Sequence, residues 1–279
     1  VEAELTDQRG VKIVEVTGAD SLSTDPNENV VGIAAAAVLE ELGIYDQGVR
    51  LWLHKRMPIG SGLGSSAASS VGGAVAVNAL MGNPLSARAV VSCALRGEAA
   101  ASGTAHADNV APSVLGGIVL IRSSEPLDLI SLPIPAALQI VIVYPHAEVL
   151  TAEARRLVAE HRFTIGQAVT NMGNVAALVT ALFREDFSLF SRCISDALVE
   201  PVRAPLIPGF NAVKLAALNA GALGCSISGS GPSMLAFADS STSADRIATA
   251  METAFADNGL QSDRFVGPVN SGGASVLAD

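Results

Sequence analysis

Between residues 49 and 80 the chain passes from an alternating run, Val49-Arg-Leu-Trp-Leu-His54, through Pro58-Ile-Gly-Ser-Gly-Leu-Gly-Ser-Ser-Ala-Ala-Ser69, into an apolar run ending at Leu80. Three glycines and four serines between a strand pattern and a helix pattern leave few options. Gly60, Gly62 and Gly64 permit positive φ and bring backbone N–H groups close to a ligand with no Cβ in the way, while Ser65 or Ser66 opens the helix. Donors at a helix start and the positive end of the helix dipole favour an anion, so the loop reads as a polyphosphate cradle that needs no lysine of its own. It lacks the Gly-Lys-Ser/Thr ending of a Walker A loop and the spacing of a dinucleotide fingerprint. A flexible Gly/Ser linker is the competing reading, but linkers are not followed directly by a helical run such as Ala67 to Leu80.

The rest of the chain limits the partners. With 279 residues, 49% apolar and 16% charged, it can bury one large core or two ordinary ones and is not disordered. The net charge is −10 and Lys and Arg form no cluster of four, so no nucleic-acid surface is expected. An acidic chain that binds polyphosphate does so through backbone donors and Mg²⁺. Cys93, Cys193 and Cys225 lie scattered in apolar segments without CxxC spacing, the usage of reduced thiols, and zinc is not expected. The positive mean hydropathy comes from Ala and Val spread along the chain, so a membrane span is not expected and the protein reads as soluble and intracellular. The first residue is Val within a strand-like opening, which predicts further residues before it.

Taken in order, Val1 to Leu5 and Val11 to Val16 read as a hairpin, and Asp25-Pro26 as the cap of a helix over Val30 to Leu42 that stops at Gly43. Helices are predicted at Ser65–Met81 and Ser86–Gly103. The polar residues His106, Asp108 and Asn109 then crowd into a connection before the strand Ile118 to Arg122, where Asp108 and Asn109 could simply cap a helix. A composition change near residues 130–137 predicts two domains, 1–133 and 134–279. The second carries helices near 149–161, 166–183, 187–198, 210–220 and 244–258. Its link Val199-Glu-Pro-Val-Arg-Ala-Pro-Leu-Ile-Pro-Gly209 contains three prolines that forbid continuous helix. A second Gly/Ser turn, Ser228-Gly-Ser-Gly-Pro-Ser233, lies between two β-type runs, and short strands are predicted near 264–266 and 274–277.

Three segments in fixed order, Pro58 to Ser69, His106 to Gly117 and Ser228 to Ser233, resemble the GHMP small-molecule kinases. Within them His106-Ala-Asp-Asn-Val-Ala-Pro112 with Gly116-Gly117, and Val199 to Phe210, resemble the homoserine kinase family. Arg122-Ser-Ser-Glu-Pro-Leu-Asp-Leu-Ile130 resembles its plant-type members. The resemblance covers essentially the whole chain. It implies an α+β, two-domain GHMP-kinase fold, with an N-terminal ribosomal-protein-S5-like α/β domain that binds nucleotide and a C-terminal ferredoxin-like α+β domain. The implied reaction is ATP-dependent phosphorylation of the L-homoserine side-chain hydroxyl, in threonine biosynthesis. A mevalonate- or sugar-type GHMP kinase and an inactive nucleotide- or amino-acid-binding protein are the alternatives. A homodimer is compatible with the family, and the implied compartment is the plastid stroma in a plant or the cytoplasm otherwise.

By position, the resemblance implies that the loop Pro58, Gly60, Ser61, Gly62, Leu63, Gly64, Ser65, Ser66 and Ala67 holds the ATP phosphates, and that Ser66 and Glu98 bind Mg²⁺. Oxygen ligands of this kind suit Mg²⁺, although Glu98 could also be an ordinary surface residue. It further implies that His106, Asp108 and Arg203 bind homoserine, the guanidinium pairing the carboxylate. Asn109, seven residues before Gly116, stands where mevalonate-type relatives carry a catalytic aspartate. Because Asn cannot accept the hydroxyl proton as a carboxylate would, the expected chemistry is positioning and charge neutralisation without a protein base, with Asp108 as the rival base. Ser228, Gly229, Ser230 and Gly231 would close the site from the second domain, or serve only as a tight turn. The family's first motif, an Asn-Leu-Gly-Pro-Gly-Phe-Asp type stretch, is not found in the chain.

Overall fold

In the computed structural model, residues 1–103, 106–147, 149 and 151–277 are described, and they divide into two compact units. The first unit comprises Val1–Ile59, Gly64–Ser131 and Asn270–Asp279. It contains β1 (Glu2–Thr6), β2 (Gly10–Thr17), α1 (Val30–Glu41), β3 (Gly48–His54), α2 (Ser65–Leu80), α3 (Ala87–Ser102), α4 (Ala107–Leu115), β4 (Ile118–Ser124) and β5 (Leu127–Leu132).

The expected hairpin of the first two strands does not form. Strand β3 lies between them in the order β1-β3-β2, antiparallel to β1 with Glu2 opposite Trp52 and parallel to β2 with Gly10 opposite Gly48. Gly48 makes this possible, because a Cβ there would stand 1.5 Å from the Gln8 carbonyl oxygen of the β1–β2 turn. One face of β3 buries Val49, Leu51 and Leu53 against α1, α2 and α3, which contribute Val31, Ala34, Val38, Val71, Ala74, Val77, Val91 and Ala94.

Helix α1 starts at Val30 as expected, but Asp25-Pro26 is not its cap. Asn29 is its N-cap, accepting the Val31 amide at 3.1 Å while donating to the Ser23 carbonyl at 2.7 Å, and Asp25 instead accepts the Asn27 amide. The helices approach closely through small residues. A Cβ on Gly73 would lie 2.4 Å from the Val31 carbonyl oxygen, and one on Gly97 would lie 2.3 Å from Ser70 Oγ. The C-terminal segment also belongs to this unit. Gly117 N donates to Asn270 O at 2.6 Å, and Gly116 and Gly273 meet so tightly that a Cβ on either would touch backbone within 2.4 Å. The strand expected at 274–277 does not form, and it is the segment just ahead of it, 270–273, that meets the end of α4 by backbone contact.

The second unit comprises Gly60–Leu63 and Leu132–Val269. It holds β6 (Gln139–Pro145), α5 (Thr151–Glu160), α6 (Ile165–Arg184), α7 (Phe187–Cys193), α8 (Glu200–Arg203), α9 (Phe210–Asn219), β7 (Gly224–Ile227), β8 (Met234–Ala238), α10 (Ala244–Asp257) and β9 (Ser262–Pro268). The sheet runs β7-β8-β6-β9, antiparallel throughout. Val141, Val143, Met234 and Ala236 face Val213, Ile247, Met251 and Phe255 in its core. The predicted helix over 187–198 ends at Cys193, and the proline-rich link holds the single turn α8 followed by a 3₁₀ turn at Ala204–Leu206. Among the described residues, no helix is long and apolar enough to cross a membrane.

Gly73→Ala tests how far the first core depends on backbone contact. Forcing a methyl against the Val31 carbonyl costs about 1–3 kcal/mol, more than the gain of up to about 1 kcal/mol from helix propensity. Chemical denaturation is expected to show a lower unfolding midpoint for the variant.

Candidate active site

The first unit assembles polar groups at the start of α2. Gly64 is the N-cap of that helix in the left-handed region (φ 75°), and Gly60 and Gly62 also have positive φ. A glycine at the N-cap has no side chain to take the first amides, which leaves that turn suited to a ligand. Ser65 instead turns away, its Oγ donating to the Met57 carbonyl at 3.2 Å, and Ala67 is core. Lys55, just past β3, donates to Ser65 O and, at 2.5 Å, to Ser69 Oγ, tying the strand end to the first turn of the helix. Burial lowers the pKa of this ammonium to about 8, against the Glu98 carboxylate, which raises it.

Glu98 is 9% exposed, which rules out the surface reading. Its position follows from the packing of α2 against α3. Ser70 Oγ donates to Ala94 O at 2.5 Å, and Gly97 lies against the same hydroxyl. One turn back along α2 from Ser70 is Ser66, and one turn forward along α3 from Ala94 is Glu98. Helices joined by a short turn run antiparallel, so both steps lead to the same end of the pair. There Ser66 Oγ is buried with no hydrogen-bond partner among the described residues. An orphaned hydroxyl and a buried carboxylate at one helix end are an oxygen donor set that suits Mg²⁺.

His106 occupies the N-cap position of α4, and Asp108 and Asn109 lie in its first turn, within the helix and not on the expected connection. The two neighbours differ sharply. Asn109 is half-buried, with its Oδ1 against Gly64, where a Cβ would come within 2.9 Å. Asp108 is exposed, and its Oδ1 accepts the Asn109 amide.

The second unit presents the other half of the predicted residues. Ser61 is buried, its Oγ accepting the Leu63 amide at 3.3 Å and its carbonyl accepting the Ser233 amide at 3.1 Å. Ser228 Oγ donates to Gly62 O at 3.0 Å, and a Cβ on Gly62 would stand 2.4 Å from Ser228 O. Gly229 lies against the Gly62 carbonyl, Gly231 N donates to Ser228 O, and Ser230 completes the turn. The turn over 228–233 therefore grips the glycine segment 60–63. Arg203, the last residue of α8, donates to Gly229 O at 2.9 Å. The residues around α8, Asp196 and Glu200 above all, were missed in the sequence. The pattern Asp196-x-x-x-Glu200-Pro201 is an available signal, an acceptor ahead of an acidic, proline-started turn. Lys55 was missed because it precedes the glycine loop and carries none of its pattern.

The model for the GHMP kinases N terminal domain matches residues 29–117, and that for the GHMP kinases C terminal matches 178–257. A homoserine kinase of Chlorobium phaeobacteroides is 46% identical over 275 residues, covering 96% of this chain and 86% of the relative. The chain belongs to the homoserine kinase family of the GHMP kinases. The homoserine kinase of Arabidopsis thaliana is 45% identical over 249 residues, covering 88% of this chain and 67% of that one. The crystal structure of a homoserine kinase from Cytophaga hutchinsonii superposes with a TM-score of 0.93 at 48% identity, covering 97% of this chain and 86% of that one. A mevalonate kinase of L. major shares the fold at 18% identity, with a TM-score of 0.69. The two-domain GHMP architecture thus holds for this homoserine kinase relative, with its α/β first domain and ferredoxin-like second.

Lys55 makes a testable contribution to stability. Between pH 8 and its unfolded value near 10.5 the unfolded state binds more protons at this residue than the folded one, so stability contributed by Lys55 rises with pH. Between pH 8 and 9 the difference in thermal midpoint between wild type and Lys55→Met should shift steadily in favour of the wild type.

Proposed function

We propose that this chain catalyses transfer of the γ-phosphoryl group of ATP to the side-chain hydroxyl of L-homoserine, giving O-phospho-L-homoserine for threonine biosynthesis. The observation that carries the reading is the convergence of Gly64, Asn109, Ser66 and Glu98 at the start of α2, in a chain alike to homoserine kinases over nearly its whole length. The amides from Gly60 to Ser66 hold the phosphates, with Pro58 setting the entry to the loop. Ser66 and Glu98 hold Mg²⁺, which when bound neutralises charge on the phosphoryl oxygens.

Asn109 orients the attacking hydroxyl. It offers no basic site, so the hydroxyl proton leaves late and passes to an oxygen of the transferred phosphoryl group, and catalysis rests on alignment and charge stabilisation. Asp108, exposed in the first turn of α4, meets the substrate ammonium together with His106. Arg203 pairs the substrate carboxylate through its planar fork. The turn Ser228–Gly231 holds the 60–63 segment in the shape that the phosphates require.

A coupled assay of ADP release with L-homoserine, mevalonate and galactose separates this activity from the other GHMP chemistries. Homoserine-dependent ADP is expected, and its absence overturns the reading. Arg203→Met should raise KM for homoserine by roughly 30- to 150-fold, the about 2–3 kcal/mol of a charge-assisted pair. Asn109→Ala should lower kcat by about 10²–10³. For Asp108→Asn we expect a raised homoserine KM with kcat largely kept. A kcat loss of about 10²–10⁴ with KM unchanged would make Asp108 the base instead.

A further inference from the structure

Arg203 ends a helix of only four residues, none of them buried, so core packing does not fix its direction. A polar network does so instead. The Asp196 carboxylate accepts the amides of Leu198 at 2.8 Å, Val199 at 3.1 Å and Glu200 at 2.9 Å, and takes a further hydrogen bond from Asn171 Nδ2 at 2.7 Å. Val199 and Glu200 open α8 and Pro201 has no amide, so one carboxylate takes the first two amides of that turn and the Leu198 amide just ahead of it.

The carboxylate is itself held from α6. Asn171 Oδ1 accepts the Ala197 amide at 2.7 Å, Gln167 Nε2 donates to Ala197 O at 3.1 Å, and Asn174 Nδ2 donates to Ser195 O at 2.8 Å. Residues 167, 171 and 174 share one face of that helix, so three successive side chains clamp three successive backbone units. Farther along α8, Glu200 accepts from Ser226 Oγ at 2.7 Å and pairs with Lys214. Burial pushes the Asp196 carboxyl up, but the hydrogen bonds from Asn171 and the amides of Leu198, Val199 and Glu200 outweigh it and hold the group below the ordinary carboxylate value.

We propose that Asp196, set by Asn171 on α6, is a positioning residue that aims Arg203 at the carboxylate of the acceptor substrate. The inference rests on the reading of Arg203 given above. It predicts a specificity effect, because a guanidinium aimed wrongly loses carboxylate recognition and its bond to Gly229 O, while the grip of Ser228 on Gly62 stays in place. A displacement of about 1 Å can cost a reaction about 10²-fold. Replacing Asp196 by Asn keeps the size of the side chain, yet points an NH₂ group at amides that need an acceptor.

The test compares L-homoserine with 3-aminopropan-1-ol, the same amino alcohol without the carboxylate, in wild type, Asp196→Asn, Asn171→Ser, Arg203→Met and the Asp196→Asn/Arg203→Met double variant. Asp196→Asn should lower kcat/KM for L-homoserine by about tenfold while leaving kcat/KM for 3-aminopropan-1-ol and KM for ATP unchanged. Asn171→Ser should shift the same ratio in the same direction by less, and it carries the test if Asp196→Asn fails to fold. The double variant should discriminate no worse than Arg203→Met alone. Equal losses with both acceptors, or no loss with either, would overturn the inference while an effect of Arg203→Met leaves the Arg203 reading intact. If Arg203→Met itself keeps the preference for L-homoserine, that reading fails and the inference with it.

Discussion

A helix start without a side-chain cap is the constraint on which the rest of the structure turns. With Gly64 in the left-handed region as a cap that has no side chain, and Ser65 directed back to Met57, the first-turn amides of α2 give no hydrogen bond to a capping side chain at the N-cap. Leaving such donors open costs stability unless a ligand takes them, and an anion is what the helix dipole favours. The surrounding residues maintain this arrangement. Lys55 ties the end of β3 to the first turn, and Asn109 leans on Gly64, where a Cβ would crowd its Oδ1 at 2.9 Å.

Small residues perform the same task at two scales. In the α1–α2–α3 core they let backbones touch, through Gly73 against Val31 and Gly97 against Ser70, which brings Glu98 to the end of α3 that meets the start of α2. In the loop itself, Gly62 is pressed between Ser228 and Gly231, so the turn over 228–233 and the segment 60–63 form one tight structure. Around α8 the second unit turns to polar contacts: its arginine ends a four-residue turn with no buried residue, and a carboxylate with its amide partner holds that turn.

Most elements were legible because their boundaries are chemical. Ser86 before α3 and Gly103 after it, and the alternation of β3, announce themselves. Order within the first sheet was not, since β1 and β2 carry the pattern of a hairpin and only the contact of Gly48 with Gln8 reveals a strand between them. The loop and the stretch His106 to Asn109 could be found from residue types alone, whereas Asp108 and Asn109 were distinguished only by burial and by contact with Gly64. Lys55, Asn171 and Asp196 act through partners 10 to 26 positions away, and such pairings leave no local pattern to read.

The structure at the start of α2 serves one proposed reaction, phosphoryl transfer to an amino-acid hydroxyl. Its most direct test is ³¹P NMR of the chain with MgATP and L-homoserine. ATP should be converted to ADP and a phosphomonoester on the homoserine side-chain oxygen, in equal amounts and only when L-homoserine is present. ADP with free inorganic phosphate and no homoserine ester, or an unchanged ATP spectrum, would contradict it.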